Sequence, residues 1–178
     1  MTAGFDPGCY TTAPLQTEGV IRFAGSPVAV FARIVNHSAM TEWVPLLKKV
    51  QVSHPRPLGP GESTIGTTRV LTLHGGVTVR EEIVYWDPPH GYAYTTEGEH
   101  WPLRNYVGFM SVQAAAGGGG NYLFREYFDV DGALRRALVS RGIVILGKRA
   151  LHNLSKLTGG TSAEFRHVPV RTTVPGCA

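Results

Sequence analysis

Apolar positions between residues 17 and 158 recur with two periods, and the change of period divides the chain. Gly19-Val20-Ile21-Arg22-Phe23 reads as a short strand. Ser26-Pro27 then supplies an N-cap followed by proline at the first helical position, opening a helix through Val30, Phe31 and Ile34. A second helical turn near Ser38–Glu42 leads to Trp43. From there the alternation predicts strands near 48–53, 64–73, 77–86, 91–97, 104–114 and 121–130. Turn chemistry separates them at Pro55…Pro60-Gly61, Gly75-Gly76, Asp87-Pro88-Pro89 and the glycine run 117–120. Period 3.6 takes over from Ala133 to about Leu157 through Leu134, Leu138, Ile145, Leu151 and Leu154, and Gly159-Gly160 stops it. Such a helix is about 37 Å long at 1.5 Å per residue. Gly142 and Gly147 interrupt it, each costing about 1 kcal/mol against alanine. A kink, a close contact with a strand or ligand, or plain tolerance would each account for them.

No helices lie between successive strands as parallel crossovers require, so the pattern excludes a doubly wound sheet. It predicts an α+β fold of the helix-grip kind: a curved seven-stranded antiparallel sheet around a long C-terminal helix, with two short helices after the first strand. One helix does not fill the concavity of such a sheet, so a ligand cavity is expected between them. Residues 17–158 form the expected ligand-binding domain. Residues 1–16 and 159–178 carry no periodicity and read as flexible segments.

The hairpin Thr67–Trp86 assigns faces. A two-residue Gly75-Gly76 turn pairs Thr72 with Val79, Val70 with Glu81 and Thr68 with Ile83. Paired residues share a face, so Thr68, Val70, Thr72, Val79, Glu81, Ile83 and Tyr85 would point inward. Arg69 opposite Glu82, with Arg80 across from Leu71, would form a solvated outer surface. A turn one residue longer changes this register. On the strand 121–130, Tyr122, Phe124, Glu126, Phe128 and Val130 share one face. Two lone glutamates, Glu81 and Glu126, thus stand among apolar neighbours. Burial raises a carboxyl pKa and fits such a group to move protons near neutral pH. The alternative is a carboxylate satisfied by a structural hydrogen bond or by water. Phe31, Trp43, Tyr94 and Tyr106 complete the expected lining, the tyrosines adding hydroxyls that need partners when buried. His100, in the loop Gly98-Glu99-His100-Trp101-Pro102, is expected over the cavity mouth, the alternative being an ordinary surface histidine.

Composition narrows the function. The chain has 178 residues, 43% of them hydrophobic and 17% charged, with a formal net charge of +4. Its Lys and Arg residues are scattered, so no phosphate-tracking stripe is present and no nucleic-acid partner is expected. Cys9 and Cys177 make no disulfide framework or zinc pattern, and the seven histidines make no HxxxH. No metal or cofactor is therefore expected, and P-loop and dinucleotide fingerprints are absent. The N-terminus lacks a signal-peptide pattern and no stretch reaches the roughly 20 apolar residues of a membrane span. The expectation is a cytoplasmic protein, monomeric or homodimeric.

Ser26-Pro27, Trp43-Val44-Pro45, Ile65-Gly66-Thr67-Thr68-Arg69, Val79-Arg80-Glu81-Glu82-Ile83, Trp86-Asp87-Pro88-Pro89 and the terminal helix occur in the order seen in the START-like (SRPBCC) superfamily. The chain resembles its polyketide cyclase/dehydrase and lipid-transport group over about residues 18–157. Residues 98–106 locally resemble the latch loop of plant abscisic-acid receptors, with one residue extra. In those receptors the positions matching Glu81, Tyr106 and Glu126 line the hormone pocket. The chain departs from them at Val44, where they carry a pocket lysine, and at His74-Gly75-Gly76-Val77, a tight turn in place of their gate loop. The resemblance implies a small hydrophobic, polyketide-like substrate and a cofactor-free lyase or isomerase of secondary metabolism, promoting cyclisation, aldol condensation or dehydration. Glu81, Glu126 and Tyr106 are the catalytic candidates. Phe31, Trp43, Val70, Val79, Ile83, Tyr94, His100 and Phe124 are the substrate-binding candidates. The rival reading is a non-catalytic binder or carrier of a lipid, quinone or other apolar metabolite.

Overall fold

The computed structural model describes residues 4–59, 62–98 and 102–168. Its element order is β1 (Leu15–Phe23), α1 (Pro27–Val35), β2 (Leu47–Ser53), β3 (Thr68–Leu73), β4 (Thr78–Asp87), β5 (Gly91–Glu97), β6 (Arg104–Ala114), β7 (Gly120–Asp129), α2 (Ala133–Thr158) and β8 (Gly160–His167). Short 3-10 turns cover Pro7–Cys9 and His37–Glu42. All strands join one antiparallel sheet in the order β2-β3-β4-β5-β6-β7-β1-β8. Ser26 caps α1 by accepting from the Ala29 N–H, and Gly159 ends α2 in the left-handed conformation that glycine tolerates. No helix is long and apolar enough to cross a membrane among the described residues.

The sheet has eight strands where the alternation predicted seven. The additional one, Gly160–His167, lies in the stretch expected to be a flexible tail and pairs with β1 across Thr17↔His167 to Ile21↔Ala163. Its pattern hides because seven of its eight residues lie on the open side or at the edge, and only Phe165 is fully buried. The stretch before β1 also lies against the sheet. Phe5 stacks on Phe109 at 4.2 Å, on the outer face, where Ala93, Val107 and Tyr127 form a small second core.

The main core lies between the inner sheet face and the helices. The α2 helix packs on β1 and β8 and closes the hollow from above. Gly147 explains itself here: a Cβ at this position would come within 2.4 Å of the Phe165 ring, so the glycine lets β8 approach the helix. Gly142 has nothing within 4 Å. The two should therefore respond oppositely to alanine. Thermal unfolding should show Gly142→Ala stabilised by about 0.5–1 kcal/mol through helix propensity. Gly147→Ala should lose about 1–3 kcal/mol to overpacking.

Candidate active site

Two rows of side chains crossing the strands build the site. The first runs Arg69–Glu81–Thr96 on β3, β4 and β5. The hairpin loop holds three residues, His74-Gly75-Gly76, with the Leu73 N–H donating to the Val77 carbonyl. Gly75 and Gly76 both take positive φ, 98° and 87°. This one-residue change leaves the β4 facing intact and reverses that of β3. Arg69, Leu71 and Leu73 point inward, and the expectation that Val70 faces the ligand is overturned: Val70 pairs with Arg80 on the outer side. Arg69 is the residue the sequence reading missed, and the longer turn was the signal that would have found it. A register shift between Ile83 and Tyr85 likewise turns Tyr85 outward onto Phe5 and Phe109 and carries Trp86 inward.

Arg69 is wholly buried at 0% exposure. Its Nη2 stands 2.7 Å from Glu81 Oε2 in a buried ion pair, and its Nη1 lies 3.0 Å from His37 Nδ1. His37 Nε2 in turn lies 3.2 Å from Ser63 Oγ. The guanidinium carbon sits 4.5 Å from the Tyr94 ring centroid, within cation–π reach. Burial lowers the His37 pKa well below its ordinary value, with Arg69 adding to the effect, so His37 is neutral. Burial raises the Glu81 carboxyl pKa, and Arg69 offsets that rise only in part. A guanidinium does not give up its proton, and a neutral Glu81 would leave that cation unpaired in the core. We therefore take the pair as ionic, with Glu81 a fixed anion.

The second row runs Ile83–Tyr94–Gly108–Glu126–Thr17 on β4, β5, β6, β7 and β1. Gly108 is its hinge. A Cβ there would lie 2.5 Å from Tyr94 Cζ, so the bare backbone lets the Tyr94 ring lie across β6. The Tyr94 hydroxyl then meets the Tyr106 hydroxyl at 3.3 Å, and Tyr106 donates to Glu126 Oε1 at 2.8 Å. Thr17 donates to Glu126 Oε2. Among the described residues no cation faces this carboxyl. Burial raises its pKa, Thr17 and Tyr106 partly offset that rise, and the Glu81 charge adds to it. Both tyrosine hydroxyls are pushed well above their ordinary value, mainly by burial. The result is a three-member chain of hydroxyl, hydroxyl and acid in a dry wall.

Two outcomes follow from this row. Gly108→Ala should displace the Tyr94 ring at a cost of about 1–3 kcal/mol, visible in thermal unfolding. Stability should also fall as pH rises. Between the ordinary glutamate value and the raised value of Glu126 the folded state holds a proton that the unfolded chain has lost, so deprotonation favours unfolding there. Glu126→Gln should flatten that part of the stability–pH curve, as denaturant titrations at several pH values would show.

Both rows face a cavity of about 210 Å³ beneath α2. Leu71, Leu73, Val79, Met110 and Phe124 line the sheet side, Ile143, Leu146, Gly147, Ala150 and Leu151 the helix side, and Trp43–Leu46 one end. Glu81, Thr96, Tyr94, Tyr106 and Glu126 supply its polar atoms. The volume holds about seven waters at roughly 30 Å³ each, enough for one or two rings and below the usual drug-sized pocket. Of the expected lining residues, Trp43, Val79, Tyr94, Tyr106 and Phe124 reach the wall with both glutamates. Phe31 and Ile83 do not: Phe31 packs on Trp86 at 5.8 Å between ring centroids, and Ile83 is core at 0% exposure. His100 lies outside the described residues, as do Glu99 and Trp101. Among the described residues no three His, Cys, Asp or Glu side chains gather as a metal site.

A curved sheet closed by its terminal helix over an acid-bearing apolar hollow is the helix-grip architecture. The family model for polyketide cyclase / dehydrase and lipid transport matches residues 14–158, and the chain belongs to that family. Among solved structures, the Zhui aromatase/cyclase from a Streptomyces species aligns with TM-score 0.66 and 12% identity, over 81% of this chain and 93% of that one. The di-domain aromatase/cyclase StfQ of the steffimycin biosynthetic pathway aligns with TM-score 0.62 and 15% identity, over 82% of this chain and 51% of that one. At these identities the likeness is one of fold. An uncharacterised protein of Mycobacterium tuberculosis is 30% identical over 77 residues, 43% of this chain and 43% of its own length.

Proposed function

We propose that the protein binds a small, largely apolar, polyketide-like molecule beneath α2 and promotes its cyclisation, aldol condensation or dehydration by moving protons. The observation that carries this reading is Glu126, a buried acid with a raised pKa and no cationic partner among the described residues, hydrogen-bonded to Tyr106 in the wall of an apolar cavity. Such reactions need an enol or enolate to form and collapse, which asks for one group that holds a proton and a second that bonds the carbonyl oxygen. Glu126 fills the first role. Tyr106 and Tyr94, neutral hydroxyls at working pH, fill the second. Glu81, held as an anion by Arg69, orients the substrate and sets the field. Family membership and the aromatase/cyclase neighbours support this class of chemistry.

A carrier is the second reading. The observation favouring it is that both Glu126 oxygens already accept hydrogen bonds from protein hydroxyls. Deuterium uptake by β-tetralone, a two-ring ketone with exchangeable protons beside its carbonyl, separates the readings when followed by NMR in heavy water. The enzyme reading expects the protein to speed uptake above the buffer rate. Binding of the ketone with uptake at the buffer rate would leave the carrier.

A further inference from the structure

We infer that the cavity is selective for a neutral ring compound bearing a free hydroxyl, and that it rejects anionic ligands. This rests on the reading that the cavity binds small apolar molecules. The wall holds two acids, Glu81 and Glu126, and among the described residues no Lys, Arg or His side chain. Arg69 is fully buried outside the lining, and its charge is already matched by the Glu81 carboxylate at 2.7 Å. A carboxylate or phosphate entering this hollow would lose its water, meet no unmatched cation among the described residues and face two acids. A buried charge without a partner is strongly disfavoured.

Among the described residues the same wall carries two polar atoms without a hydrogen-bond partner, the Trp43 Nε1 donor and Thr96 Oγ1. Thr96 and Glu81 are direct cross-strand neighbours, so the Thr96 hydroxyl and the Glu81 carboxylate, whose Oε2 stands 2.7 Å from Arg69 Nη2, belong to one spot on the floor. A buried polar group left unbonded is costly. A ligand hydroxyl repairs this spot: its proton goes to the Glu81 carboxylate, and its lone pairs accept from the Thr96 hydroxyl. The rest of the ligand meets aliphatic and aromatic carbon. Hydrogen bonds to a charged group contribute about 1.5–3 kcal/mol, so a hydroxyl should be recognised by roughly tenfold or more in affinity.

Binding of β-naphthol, naphthalene and β-naphthoate to the full chain at neutral pH, followed by calorimetry, tests this. The rings are the same and only the substituent changes. The expected result is β-naphthol binding about tenfold or more tighter than naphthalene, and β-naphthoate weaker than both. Glu81→Gln and Thr96→Val should each narrow the ratio between naphthol and naphthalene affinities measured on the same variant. Thr96→Val keeps the Arg69–Glu81 pair and so remains informative if the Glu81 variant does not fold. Equal affinities for naphthol and naphthalene, or naphthoate binding as well as naphthol, would overturn the selectivity while leaving the apolar-ligand reading in place. Failure of all three to bind would overturn both.

Discussion

Glu126→Gln is expected to lower protein-promoted deuterium uptake by β-tetralone by about 10²–10⁴-fold, the usual contribution of a positioned general acid or base. Affinity for the ketone should stay close to that of the unaltered protein. Glutamine matches the carboxyl in shape, keeps an oxygen to accept from Tyr106, and gives Thr17 an amide whose proton its hydroxyl can accept. The wall should therefore hold while the exchangeable proton disappears. Tyr106→Phe should fall between the two, because it removes the donor to Glu126 Oε1 and the partner of the Tyr94 hydroxyl but leaves the acid. A Glu126→Gln protein with full exchange activity would assign proton transfer elsewhere.

The second large effect concerns stability. Arg69→Met should destabilise the fold by about 3–5 kcal/mol, because it leaves Glu81 as a buried charge with no counter-ion. For a chain of this size each kcal/mol is about 2–4 °C in melting temperature, so the loss should be plain in a thermal scan. The double variant Arg69→Met with Glu81→Met should recover most of that loss, since apolar replacement of a whole buried pair is often neutral or better. Recovery would show that the pair is not needed for folding. A single variant as stable as the parent would mean that Glu81 is protonated and that the pair is not ionic.

The parts of this architecture that were legible in the sequence depend on period alone. The alternation on 121–130 puts Phe124, Glu126 and Phe128 on one face without reference to any neighbour, and the structure agrees. Ser26-Pro27 and Gly159 mark helix ends by local chemistry and do so in the structure. What failed depended on counting across a turn or a bulge. One extra loop residue at His74 reversed the facing of a whole strand, moved Val70 outward and placed a fully buried arginine in the core. One shifted position between Ile83 and Tyr85 did the same for Tyr85. The edge strand β8 was invisible because an edge with one open face has little apolar pattern to show. Glu81 was read correctly for facing, yet its partner was not: the Arg69 guanidinium stands 2.7 Å away and bears on its charge. Tertiary neighbours decide a pKa, and a single strand does not reveal them.

On the proposed reading Glu126 is an acid tuned by a dry hollow that its ligand makes drier. Carbon-13 NMR of the glutamate side-chain carboxyl carbons, with the Glu126 signal assigned by its loss in Glu126→Gln, measures this directly. The expected result is a titration midpoint above the ordinary glutamate value and a further rise when β-tetralone fills the cavity and expels water. A midpoint at or below the ordinary value, unmoved by the ketone, would contradict it.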